Sequence, residues 1–245
     1  MAVDEALALS VRNRHSPPVL RFYEWLEPSV TIGSFQKINS INVSYCREHR
    51  IPLVRRLTGG RAILHGKELT YSLSARTDNE PFSSGLLGSY MKIAEAFRVA
   101  FASSGLSPEI RGRRERSSGM KIPHCFHSTS FGEITLQGKK VAGAAQKRWR
   151  ESFLQQGSLP FEIEREAIQG IFGIQSSAEL NDRMIGLLEA APWIDPGRLK
   201  EAIRSSFEAA FDVILVHSCL SREESLLAME IERQKYLSEG WNLLR

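Results

Sequence analysis

Between residues 89 and 102 apolar side chains fall at positions 90, 93, 94, 97, 100 and 101. That three-and-four spacing lays them along one face of a helix. Elsewhere the apolar runs are short, often β-branched, and bounded by Gly, Pro, Asn or Ser. Residues 19–23, 30–32, 53–56, 62–65, 69–75, 132–136, 141–146, 153–159 and 213–216 read as strands on that ground. Residues 2–10 read as a short helix with Asp4 and Glu5 in its first turn, where the helix dipole favours acids. Asp195 before Pro196 is an N-cap followed by a proline at the first helical position, opening a helix to about residue 211. Ser221 and Glu224 have the spacing of a capping box for a last helix reaching about residue 237. Residues 103–122, rich in Gly, Ser and Arg, read as a long loop. Strands and helices mixed without strict alternation predict an α+β fold, a mixed and largely antiparallel sheet flanked by helices. No repeat, low-complexity tract or Pro-rich linker divides the chain. Residues 1–245 therefore read as one domain with a mainly helical segment from about 195.

Composition narrows the class. Hydrophobic residues make up 42% and charged residues 24% of the 245 positions, the balance of a soluble globular protein. The N-terminal Met-Ala-Val-Asp-Glu is not a signal peptide, and no apolar run reaches the ~18 residues of a membrane span. Three cysteines, Cys46, Cys125 and Cys219, have no paired spacing. An odd, sparse count fits free thiols in a reducing compartment, so the cytoplasm is expected. The net charge is a mild +4, but it is clustered in Arg111-Gly-Arg-Arg-Glu-Arg116, Lys139-Lys140 and Lys147-Arg148-Trp149-Arg150. Such clusters are either solvated loop charge or docking surfaces for an acidic partner. Nucleic acid is not expected, since no recognition helix, zinc-finger spacing or aromatic-basic RNA motif accompanies them.

Two constellations carry candidate chemistry. In Arg55-Arg-Leu-Thr-Gly-Gly-Arg-Ala-Ile-Leu-His65, two arginines enter a Gly-Gly turn and a histidine follows on the next strand. Its amides and guanidinium groups suit a carboxylate, a phosphate or an acyl carbonyl, although a structural hairpin has the same look. Pro123-His-Cys-Phe126, followed by Gly138-Lys-Lys-Val-Ala-Gly-Ala-Ala-Gln146, sets a cysteine near lysines in sequence. A neighbouring ammonium lowers a thiol pKa, but an isolated cysteine is more often a packing residue. His124-Cys125-x-His127 is too tightly spaced for a structural zinc pair, and no second pair follows. No P-loop, dinucleotide fingerprint or Gly-x-Ser-x-Gly elbow is present.

Together with Glu68-Leu-Thr-Tyr-Ser72, the first constellation resembles the signature hairpin of the lipoate-protein ligase A, octanoyltransferase and biotin ligase superfamily. Pro-His-Cys-Phe126 before Phe131-Gly-Glu-Ile134, and Gly-Lys-Lys-Val-Ala-Gly-Ala-Ala-Gln-Lys-Arg148, resemble its branch of octanoyl-[acyl carrier protein]:protein N-octanoyltransferases. Further matches run from Met1-Ala-Val-Asp-Glu-Ala-Leu7 to Lys235-Tyr-Leu-Ser-Glu-Gly-Trp-Asn242, in order along the chain. The resemblance implies the biotin/lipoate ligase-like catalytic fold and an octanoyl thioester on Cys125, whose pKa Lys140 lowers. It implies an acyl pocket built by Arg56, Thr58, Gly59, Gly60, His65, Gly143 and Ala145. It implies octanoyl-acyl carrier protein as donor, and lipoyl domains of 2-oxoacid dehydrogenases or glycine cleavage H protein as acceptors. No cofactor, ATP or metal is implied. An ATP-dependent lipoate or octanoate ligase and an octanoyl amidotransferase are the alternatives within the superfamily, and a non-catalytic acyl-binding or interaction protein on the same fold is a further one. Arg61, where ligases commonly have Gly, points to the transferase branch. Cys46 and Cys219 match no functional position and read as packing residues. The family usually has a strand before its Met-Ala-x-Asp-Glu helix, and here the sequence begins at that Met.

Overall fold

In the computed structural model, which describes residues 1–78, 80–111 and 132–244, the organising strand is β5 (Glu68–Arg76), one of the two interior strands of its sheet. Both of its faces are covered. Leu69, Tyr71, Leu73 and Ala75 point into the main apolar core, whereas Ser72 on the opposite face donates to Asp4 of α1 (Ala2–Arg12) at 2.8 Å. β5 pairs antiparallel with β1 (Val19–Tyr23) and with β10 (Ser152–Pro160), and β10 pairs antiparallel with β9 (Gly143–Arg148). The sheet order is therefore β1-β5-β10-β9. A second sheet sets β2 (Ser29–Ile32) between β3 (Leu53–Arg55), parallel to it, and β4 (Ile63–His65), antiparallel to it. A third joins β6 (Glu109–Ile110), β7 (Ile134–Leu136) and β8 (Lys139–Lys140), all antiparallel. The fold is α+β, mixed and largely antiparallel, as the residue pattern predicts.

Two apolar cores hold these layers together. The larger packs the central sheet against α3 (Gly85–Ser103) and α7 (Pro196–Phe211). The predicted α3 face is buried at Ile93, Ala94, Phe97, Ala100 and Phe101. The smaller lies between the second sheet and α2 (Val43–Glu48), α4 (Arg165–Phe172) and α5 (Ser177–Arg183), with α6 (Leu187–Ala190) leading on to α7. Asp195 caps α7 by accepting from Arg198 N at 2.7 Å, and both halves of the capping box are made at the start of α8 (Arg222–Ile231). No helix among the described residues is long and apolar enough to cross a membrane.

Two expectations need correction. Residues 213–216 form no strand and pair with none among the described residues. Glu208 takes two of their amides instead, its carbonyl accepting from Val213 N at 3.1 Å and its carboxylate from Leu215 N at 2.9 Å. Leu215 packs on the main core while Ile214 and Val216 stand exposed. The last helix reaches its predicted end, with the cap at Leu237. It widens into a π turn at Glu232–Tyr236, where Lys235 and Tyr236 both donate to the Glu5 carboxylate, and α9 (Glu239–Asn242) follows. Cys219 is exposed rather than a core packing residue, whereas Cys46 is buried in the smaller core as expected.

Candidate active site

The Gly-Gly hairpin is held from behind. All five N–H groups a guanidinium offers are engaged at Arg56, which is buried. Nε donates to Thr58 Oγ1 at 3.1 Å, Nη1 to the carbonyl and hydroxyl of Thr31, and Nη2 to the carbonyls of Gly59 at 2.6 Å and Arg61 at 2.8 Å. Arg56 thus gathers the carbonyls of the turn, leaving the turn's opposite side open. Gly60 has φ +84°, in the left-handed region glycine tolerates, and a Cβ there would sit 3.0 Å from Arg56 Nη2. The end of β2 must also be glycine. A Cβ on Gly33 would lie 1.9 Å from the Gly60 carbonyl oxygen.

Thr58 extends this frame into the central sheet. Its hydroxyl donates to Gln156 Oε1 at 2.9 Å, and Gln156 Nε2 donates to Asp4 Oδ2 at 2.7 Å. Asp4, fully buried, also accepts from Arg21 at 2.8 Å and from Tyr23 at 3.0 Å. Burial, with the Asp4 carboxylate beside it, pushes the Tyr23 hydroxyl well above its ordinary pKa. A buried carboxylate with four donors is the satisfied arrangement such a group requires. It ties α1, β1, β5, β10 and the hairpin to one point.

On the open side of the turn lies a cavity of about 320 Å³. That is at the small end of the ~300–1,000 Å³ typical of small-ligand clefts. Gly59 and Gly60 form one wall, β9 from Gly143 to Gln146 another, and Tyr71, Phe97 and Leu159 contribute apolar surface. Gly143, Ala144 and Ala145 keep the β9 wall low. Gly157 makes room for the Tyr71 ring, since a Cβ there would come within 2.1 Å of it. The Tyr71 hydroxyl accepts from Gln155 Nε2 at 2.9 Å, and burial raises its pKa.

Lys140 stands behind one side of this cavity. It is fully buried, and its Nζ is 2.5 Å from Oε1 of Glu133, which does line the cavity. Backbone register produces the pair: Thr135 of β7 is opposite Lys140 of β8, and Glu133 lies two residues before Thr135. Residues two apart share a face of an extended chain, so Glu133 is the diagonal neighbour of Lys140. Glu133 is a site residue that sequence reading missed. The signal was in the Phe131-Gly-Glu-Ile134 motif, but its meaning depends on the β7–β8 register.

Among the seven positions expected to build the pocket, Gly59, Gly60, Gly143 and Ala145 line the cavity. Arg56 and Thr58 lie behind the turn rather than in the cavity wall. His65 is elsewhere. Its Nε2 is 2.7 Å from Thr31 Oγ1, its Nδ1 is 2.7 Å from Glu68 Oε1, and its ring stacks on Trp25 at 4.3 Å. Glu68 Oε2 accepts in turn from Ser158 at 2.8 Å, so His65 braces β4 against β5 and β10. Cys125 lies outside the described residues, as do most of the 111–116 basic cluster and the His124-Cys125-x-His127 group. In the other clusters, Arg148 is structural. Its guanidinium donates to Ser89 Oγ and to the Phe82 carbonyl, both at 3.1 Å, and lies over the Phe153 ring.

Comparison with known proteins places this geometry. Residues 1–208 match the Lipoyl protein ligase A/B catalytic domain. Octanoyltransferase LipM of Carboxydothermus hydrogenoformans is 33% identical, the alignment covering 98% of this chain and 92% of the relative. Octanoyltransferase LipM of Brevibacillus brevis is 34% identical, over 100% of this chain and 94% of the relative. Among solved structures, a lipoate-protein ligase A bound with ATP superposes with a TM-score of 0.79 at 22% identity, covering 99% of this chain and 92% of that one. A putative lipoate protein ligase from Thermoplasma acidophilum with bound lipoic acid gives 0.77 at 22% identity, with the same coverage. At that identity the two structures speak to the fold alone.

Proposed function

The chain belongs to the lipoyl protein ligase A/B catalytic domain family, and from that membership we propose that it is an ATP-independent octanoyltransferase of lipoate biosynthesis acting in the cytoplasm. The donor is octanoyl-acyl carrier protein, and the acceptor is a lysine of a lipoyl domain or of glycine cleavage H protein. The supporting observation is the small, partly apolar cavity between the Gly59-Gly60 turn and β9, flanked by the buried Lys140–Glu133 pair. That cavity, as a place for a medium acyl chain, is the observation that carries the reading. Burying about six methylenes supplies up to ~5 kcal/mol of binding at ~0.8 kcal/mol each.

The reaction is two acyl transfers. The Cys125 thiolate attacks the carbonyl carbon of the octanoyl thioester; a new C–S bond forms, the old one breaks, and the carrier leaves as a thiolate that takes a proton from solvent. The acceptor lysine, as free amine, then attacks octanoyl-Cys125. A C–N bond forms, the C–S bond breaks, and the amine proton passes to the departing thiolate or to solvent. No group is oxidised or reduced, and no nucleotide is consumed. Lys140 contributes positive charge that favours the Cys125 thiolate over the thiol. Gly59, Gly60, Gly143 and Ala145 shape the acyl channel, while Arg56, Thr58 and His65 hold its walls in place. The exposed Arg150 and the partly exposed Lys139 and Lys147 suit docking of acidic carrier domains.

Incubation with octanoyl-acyl carrier protein in the absence of ATP, followed by intact mass measurement, tests this. The expected result is one added octanoyl group that is absent from Cys125→Ala. Acceptor modification that demands ATP would replace the reading with a ligase. No acylation in either condition would overturn both.

A further inference from the structure

Resting on that reading, we propose that Glu133 is a positioning residue of the transfer reaction, fixing both the place and the positive charge of the Lys140 ammonium. Lys140 has no exposed side-chain surface and Glu133 has 8%, with Nζ and Oε1 2.5 Å apart. A buried ammonium deprived of its carboxylate becomes costly to keep charged, and its proton is released at a lower pH. Charge on Lys140 is the property the reaction uses, so the carboxylate that sustains it is part of the machinery.

The location supports this. Glu133 borders the cavity, while Lys140 is set one layer behind it. β8 is tied on both sides, with Thr135 of β7 opposite Lys140 and the Lys140 carbonyl accepting from Ile185 N at 3.1 Å. The backbone therefore fixes the root of the lysine, and Glu133 fixes its tip. From β7 the groups facing Lys140 are Thr135 and Glu133. From the end of α5 it is the buried Met184, which follows the exposed Asp182 and Arg183. Arg111, after β6, meets Glu133 through backbone, its amide donating to the Glu133 carbonyl at 2.9 Å. Both Glu133 and Lys140 make further interactions, and among the described residues the Glu133 carboxylate is a negative charge set directly against Nζ.

Glu133→Gln keeps the shape and removes the charge. For octanoyl transfer, the alkaline limb of kcat/KM is expected to move to lower pH by about 1–3 units, the usual effect of losing an adjacent opposite charge. Glu133→Asp should return the limb most of the way. The double variant Glu133→Gln with Lys140→Met removes both charges. It should melt close to the wild type yet transfer no octanoyl group, whereas Glu133→Gln alone should melt lower. An unshifted limb in Glu133→Gln, or full activity in the double variant, would overturn the proposal and leave the pair a scaffold element. NMR titration of the Lys140 side chain in ¹³C-lysine-labelled protein separates this from the function itself. A lowered Lys140 titration in Glu133→Gln upholds the coupling even if the wild type forms no octanoyl-enzyme. An unchanged titration refutes it even if transfer is robust.

Discussion

Cys46 and Gly157 show how single residues are committed by their surroundings. Cys46 is 1% exposed in the smaller core, and burial pushes its thiol up to about 11, against about 8.5 for an ordinary thiol. The folded state therefore holds this proton more tightly than the unfolded chain does. Its contribution to stability is complete below about pH 8.5 and is lost as pH rises through about 11. Alkylation at pH 8 with peptide mass mapping should find Cys46 far slower than the exposed Cys219. Equal rates would contradict the burial. Gly157 is bound by shape rather than charge, because the Tyr71 ring occupies the space where its side chain would stand. The cavity floor thus depends on a residue that carries no chemistry.

At the scale of elements, the Gly-Gly hairpin and the end of β2 act as one unit. Gly33→Ala would drive a methyl group into the Gly60 carbonyl, and the backbone on one side must retreat. A loss of about 1–3 kcal/mol in denaturant unfolding is expected, as for overpacked cores, with transfer activity falling well beyond the stability effect. Wild-type activity in a destabilised Gly33→Ala would detach the turn from the site. Elements of this kind were legible in the sequence wherever local rules decide. The α3 stripe, the Asp195 cap, the capping box at Ser221 and the Gly-Gly turn all formed as read. Where partners decide, local reading failed. Residues 213–216 have strand composition but pair with no strand among the described residues, and the short α2, α4, α5 and α6 lack enough turns to show a period. His65 and Arg56 sit in the signature hairpin, yet strand alternation and the turn's carbonyls point them away from the cavity. The Glu133–Lys140 pair waits on a register that no single strand specifies.

Arg55 acts at the scale of the whole molecule. Its buried guanidinium donates to the carbonyls of Gly33 and Gln36 at 2.8 and 2.7 Å, and to those of Trp241 and Leu244 at 3.1 and 2.5 Å. The Arg55 backbone joins in, its amide donating to Asn242 and its carbonyl accepting from Trp241 Nε1. Arg55→Met would strand several of these carbonyls. Each unsatisfied group costs about 1–3 kcal/mol, so a loss of about 3 kcal/mol or more is expected by chemical denaturation, with protease cleavage appearing first near residues 237–244. A variant as stable as the wild type would show the clasp to be dispensable.

The clasp also orders events during synthesis. Arg55 leaves the ribosome 186 residues ahead of the Trp241 carbonyl that receives its Nε. Until those late residues emerge, the Arg55 guanidinium lacks two of the carbonyls that it binds in the folded chain. A nascent chain can assemble its central sheet before this, but the bonds that tie the hairpin to Trp241 and Leu244 form only once α9 has emerged.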